Sequence, residues 1–407
     1  MIKYFLSATT AVIVLFFAGC SSGDNSSNGT TPLPPVTEIL TTQNVGAYMV
    51  DANATAETKA LFYNLKKLSK TKFAIGQQDA FNSFYNNVSG MSDIKKITGN
   101  DPALLGSDFM FITDKNNNEQ NNNWFYQQEI IITDDVKEAY SKGMINIFSW
   151  HLREPNNEDS FYAEDMTAGQ KATAFRSILP GGSNHAWYRQ KLDKVASVFL
   201  NLKDNNGNLI PVIFRPFHEF DGNWFWWGAN YCTPQEYKTA FQFTVDYLKN
   251  TKSVHNVLYS FSPDNSYTTE ADYLSRYPGD DFVDVLGIDN YGDFDNQGQS
   301  GSDRANAKLK IVSDIAKAKV KIAAMTETGY RVTATNPPVS GWFSNYLYNA
   351  LTANGVEVSF VMFWNNNNDG YYVPTAAASN AADFTDFVAK PKSVLQNELP
   401  AMYKLPE

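Results

Sequence analysis

The chain has 407 residues, 43% of them hydrophobic and 14% aromatic, with a formal net charge of −10 and a pI near 5.0. An acidic surface repels phosphate and no lysine- or arginine-rich run offsets it, which excludes nucleic acid as a partner. Two cysteines leave no disulfide framework, and 8 Trp with 22 Tyr favour a flat, neutral ligand such as a sugar.

Residues 1–19 place Lys3 ahead of an apolar run too short to suit a spanning helix. The small residues Ala18 and Gly19 precede Cys20, and the segment resembles a bacterial lipoprotein signal. That resemblance implies cleavage before Cys20, lipidation of its sulfur and anchoring to the bacterial outer membrane, at the cell surface or the periplasmic face. An ordinary secretory signal is the alternative. Residues 20–39 read as the lipidated cysteine and a flexible tether, polar at first and then proline-rich. Residues 40–407 read as one domain.

Within that domain, eight β-rich apolar runs cover 72–78, 103–109, 144–150, 211–217, 256–263, 283–289, 321–329 and 358–364. Helical segments at 185–202, 234–250, 303–318 and 341–354 alternate with them. The alternation predicts an α/β fold, a (β/α)8 TIM barrel, with long loops across 110–140 and 152–184. Barrel sites are built at the C-terminal ends of the strands. Those ends carry Trp150 and His151, His218 and Glu219, Asp289 and Tyr291, Glu327, and Trp364.

A lone glutamate at a strand end is more often a solvated or ion-paired residue than a catalyst. Glu219 and Glu327, however, belong to the fourth and seventh strands, on opposite sides of the predicted mouth. Two carboxyl groups ~5–5.5 Å apart across a sugar hydrolyse glycosidic bonds with retention, one as acid and one as nucleophile. The stretch 215–228, RPFHEFDGNWFWWG, surrounds Glu219 with aromatic rings. Phe217, Phe220 and Trp224 are expected to dehydrate it, which holds a carboxylic acid protonated. Trp226 and Trp227 are expected to offer stacking faces to sugar. Strand alternation puts Arg215 and Glu219 on one side, where Arg215 is expected to orient or charge-stabilise a carboxylate among the substrate-binding residues, an ordinary ion pair being the alternative. The histidines His151, His185, His218 and His255 form no zinc-hydrolase pattern, and no nucleophile elbow, phosphate loop or dinucleotide fingerprint occurs. Neither a metal nor a cofactor is expected. Cys232 reads as a buried small hydrophobe.

These residues resemble glycoside hydrolase family 26, whose best-known members are β-mannanases of the retaining barrel clan. RPFHEFDGNWFWWG, TETG at 326–329, SWH at 149–151, GIDNY at 287–291 and FW at 363–364 fall in the family's order. The resemblance implies Glu219 as acid/base and Glu327 as nucleophile. It further implies that His218 bonds to substrate or nucleophile and that Tyr291 tunes Glu327. It places Trp224 near the acid/base, and Trp364 and His151 on the sugar at the cleavage point. Gly76-Gln77-Gln78 stands where Gly-His-Gln is usual, which leaves the role of Gln77 open. The implied activity is hydrolysis of β-1,4-mannan by a monomer, endo- or exo-acting. Two alternatives stand beside it: another family 26 β-glycanase acting on mixed-linkage glucan or xylan, and a non-catalytic surface lipoprotein that binds glycan.

Overall fold

A computed structural model describes residues 39–407, so Cys20 and most of the tether lie outside the described residues. Eight parallel strands run β1 Phe73–Gln78, β2 Leu104–Asp108, β3 Ile145–Ser149, β4 Val212–Arg215, β5 Val257–Phe261, β6 Val285–Asn290, β7 Ile322–Thr328 and β8 Phe360–Phe363. Each pairs with the next, and β1 pairs with both β8 and β2, so the sheet closes on itself. Between them lie α1 Ala56–Leu68, α2 Asp93–Thr98, α3 Trp124–Ser141, α4 Ala168–Ile178, α5 His185–Asn201, α6 Pro234–Asp246, α7 Glu270–Tyr273, α8 Gly298–Ala318, α9 Tyr348–Thr352 and α10 Ala381–Val388. The eight strands and the barrel read from the sequence are therefore present, as a single domain. A two-residue ninth strand, Ser393–Val394, flanks β1.

Alternation along each strand sorts the core. Ala74, Leu104, Ile147, Ile213, Leu258, Val285, Ala324 and Met362 fill the barrel interior, while Ile75, Phe148, Phe214, Leu286, Met325 and Phe363 pack against the helices. Two glycines make room inside. A Cβ on Gly76 would meet Met362 Sδ at 2.2 Å, and one on Gly106 would meet Gln78 Oε1 at 2.1 Å.

Two helices occupy segments read from sequence as loop. In α3 the run Ile130-Ile131-Ile132 is β-branched and reads as a poor helix former. Yet Ile132, Val136 and Ala139 give a buried stripe at helical spacing, and the Asn123 side chain caps the first turn through Tyr126 N. The helix α4 opens on a capping box between Thr167 and Gln170. Among the described residues no helix is long and apolar enough to cross a membrane.

Candidate active site

The mouth of the barrel gathers three buried carboxylates. Oxygen atoms of Glu219, Asp289 and Glu327 lie within 4.8 Å of one another. Strand register explains two of them. Asp289 in β6 pairs with Glu327 in β7, after a shift between Ile288 and Asp289 that leaves Thr326 as an extra residue. Simple alternation would put Ala324 and Thr326 inside and Glu327 outside. The bulge turns Glu327 into the mouth.

Glu219 arrives by a different device. The strand β4 ends at Arg215, and the chain then turns with φ of 54° at Phe217 and 51° at Glu219. Alternation is lost here: Phe217 packs outward against Tyr188 and Trp227, while Arg215 and Glu219 both face inward. The expected shared side is reached through a strained turn rather than a continuous strand.

Arg215 lies beneath the carboxylates, 2% exposed. It donates to Asp289 Oδ2 at 2.5 Å, to Glu327 Oε1 at 2.8 Å and to Ser262 Oγ at 3.1 Å. With its donors so engaged, Arg215 orients carboxylates and does not contact ligand, which corrects its expected place among substrate-binding residues. The Tyr291 hydroxyl donates to Glu327 Oε2 at 3.1 Å, so both oxygens of Glu327 are held.

Burial pushes the Glu219 carboxyl well above the ordinary glutamate range, and the charges of Glu327 and Asp289 add to the push. The Trp224 indole N–H opposes it by donating to Glu219 Oε2 at 2.6 Å. Trp224 therefore meets Glu219 with its polar edge, not as an apolar cover. Its ring remains 39% exposed and free to contact a ligand.

Trp227 and Trp226 correct the expectation of stacking faces, for both are fully buried. Their indoles donate inward, Trp227 to His218 O and Trp226 to Leu152 O, each at 2.7 Å, and Phe225 stacks on Trp227. Closing the barrel top takes both rings out of reach of any ligand. Trp150 is buried too, bonded to Thr113 Oγ1. Trp364 is partly exposed and packs edge-on against His151.

His151 Nδ1 lies 2.5 Å from Asp108 Oδ2, and its Nε2 lies 3.3 Å from His218 Nε2. Burial works against the charged form of His151, but the Asp108 carboxylate outweighs it and raises the imidazole above its usual value. Burial and then the positive charges of His151 and Arg215 hold His218 well below. Among the described residues, the only side-chain hydrogen-bond partner of the His218 ring is His151, and the ring makes no hydrogen bond to Glu327. Asp108, the last residue of β2, escaped sequence reading. The rule that found the other residues, a polar group at a strand's C-terminal end, singles it out equally. In β1 the mouth-facing residue is Gln78, whose amide lies over Gly106, while Gln77 is buried on the other face with no partner for its amide.

Elsewhere, His255 pairs with Asp51, and His185 bonds to Ile178 O. Cys232 is buried and its thiol faces Trp227 O.

The arrangement fits acid-assisted displacement at a sugar carbon: a carboxyl group with both oxygens held, a second one opposite whose burial favours its protonated form, and an aromatic ring beside them. Comparison with known proteins agrees. The model for glycosyl hydrolase family 26 matches residues 50–369. The chain is 34% identical over 363 residues to a mannan endo-1,4-beta-mannosidase of Bifidobacterium adolescentis, covering 86% of this chain and 35% of the relative. It thus spans about a third of that relative's own length. Among solved structures, GH26C from a Muricauda species superposes with a TM-score of 0.90 at 56% identity, over 91% of this chain and 99% of that one. A GH26 beta-mannanase from Bacteroides ovatus superposes with a TM-score of 0.75 at 31% identity, over 86% and 98%.

Proposed function

The chain belongs to glycosyl hydrolase family 26, matched over residues 50–369, and from that membership we propose that it hydrolyses β-1,4-mannosidic linkages in mannan, galactomannan or glucomannan with retained configuration. Glu327 attacks the anomeric carbon, the bond to the leaving sugar breaks, and Glu219 gives its proton to the departing oxygen. Water then attacks the glycosyl-enzyme, Glu219 takes the water's proton, and Glu327 leaves as a carboxylate. Trp224 positions Glu219, Tyr291 and Arg215 position Glu327, and His151 with Trp364 contacts the sugar being cleaved. The observation that carries this reading is the approach of the Glu219 and Glu327 oxygens to within 4.8 Å at one mouth, with burial favouring the protonated form of Glu219. The mannan-cleaving names of the relatives support the sugar class.

A glycan-binding protein without catalysis has no need of such a pair. Reducing ends released from galactomannan, lichenan and xylan test both points. Galactomannan should be preferred, and Glu219→Ala and Glu327→Ala should each lose ~10²-fold or more in rate. Preference for lichenan or xylan overturns the substrate class, and binding without release in the unaltered protein overturns catalysis.

From the resemblance of residues 1–20 to a lipoprotein signal we further propose a monomer anchored at a bacterial outer membrane through a lipid on Cys20. Cys20→Ala should move it from the membrane to the soluble fraction; unchanged partition contradicts the anchor.

A further inference from the structure

We propose that Asp79 is a sugar-binding residue that accepts hydrogen bonds from hydroxyls of the second glycone unit, the one adjoining the sugar whose bond is cleaved. The inference rests on the β-mannoside reading above.

A cavity of about 220 Å³ opens beside the active site, and its walls include Gln78, Asp79, Asp108, His151, Trp364 and Asn365. These belong to the ends of β8, β1, β2 and β3. Neither glutamate lines it, nor does Trp224. The leaving group departs over the acid, Glu219, and the cavity, which also reaches Phe161 and Tyr162, is walled mainly by the ends of β8, β1, β2 and β3 rather than by Glu219 or Trp224; we take it as the glycone side.

Asp79 stands out in this cavity by its backbone and by its partners. It directly follows β1 and holds φ at 51°, a conformation that costs strain in any residue but glycine. The strain is fixed from both sides. Its N–H donates to Gly106 O at 2.9 Å, and its carbonyl accepts from the amides of Asn82 at 3.1 Å and Ser83 at 2.8 Å. Its carboxyl meets amides only: Asn365 Nδ2 donates to Oδ2 at 2.9 Å and Gln78 Nε2 to Oδ1 at 3.4 Å. The positive group in its surroundings is His151, which is already engaged by Asp108. Loss of water pushes the Asp79 carboxyl up to about 7, against the bond from Asn365 and with the Asp108 charge adding to the push. A partly exposed carboxyl that lines a cavity and meets only amides has acceptor capacity left over, which a ligand of hydroxyl donors would use.

The test compares an aryl β-mannobioside, which fills both glycone positions, with an aryl β-mannoside, which fills one. The readout is the ratio of kcat/KM for the two. Asp79→Ala should lower that ratio about 3- to 10-fold, the effect of a lost hydrogen bond. Asp79→Asn keeps the shape and suits positive φ, and should lower it by a smaller factor. A general loss of structure reduces both rates together and leaves the ratio where it was. A ratio unchanged in an Asp79→Asn protein that still cleaves the mannoside overturns the inference. An unaltered protein that releases no reducing ends from galactomannan overturns the β-mannosidic reading instead.

Discussion

Trp224 joins two functions in one ring. Its N–H stabilises the charged form of Glu219, while burial and the neighbouring carboxylates favour the neutral one. In the proposed reaction Glu219 must be protonated to give its proton to the leaving oxygen, so kcat/KM should fall on the alkaline side as Glu219 ionises. Trp224→Phe removes the donor and keeps an apolar ring. The pKa of Glu219 should rise, and the alkaline limb of the kcat/KM profile should move to higher pH. A limb that stays in place, or moves down, shows that the indole bond does not set the proton affinity of Glu219. At this scale the sequence was a good guide to which residues gather at the mouth and a poor one to how they point. Glu219, Glu327, Tyr291, His151 and Trp364 were legible because barrel chemistry gathers at strand ends. Trp227 was misjudged because a string of aromatic residues does not say which rings close the core and which face a ligand.

At the scale of the strand, the site depends on small departures from regularity. The bulge at Thr326 and the left-handed turns at Phe217 and Glu219 carry no distinct sequence signal, since none of the three positions is glycine. The strands themselves were legible because apolar runs of strand length are separated by polar turns. The helices α3 and α4 were not, because consecutive isoleucines obscured one and a mostly exposed face the other. Gly106 offers a test of how β2 supports the mouth. A Cβ there would meet Gln78 Oε1 at 2.1 Å and Gln78 Cα at 2.9 Å, so Gly106→Ala must displace Gln78 or spread β1 from β2. Overpacking of this kind costs about 1–3 kcal/mol. Urea unfolding should show that loss, and turnover should fall with it because Asp79 directly follows Gln78. Unaltered stability and turnover contradict the tight packing described.

At the scale of the whole molecule, barrel closure brings distant segments of chain into one mouth. Glu219 and Glu327, 108 residues apart in sequence, meet only because β4 and β7 end on the same rim of a closed sheet. Arg215 stands below them with Asp289, so the negative charge gathered at the mouth is partly offset from inside the barrel. The approach of oxygens of the two glutamates to within 4.8 Å favours the proposed direct attack by Glu327 over a separately activated water on the opposite face. Proton NMR of the sugar first released at the new reducing end, recorded before mutarotation during hydrolysis of mannohexaose, tests this claim most directly. The account predicts that the β-anomer appears first; the α-anomer appearing first contradicts it.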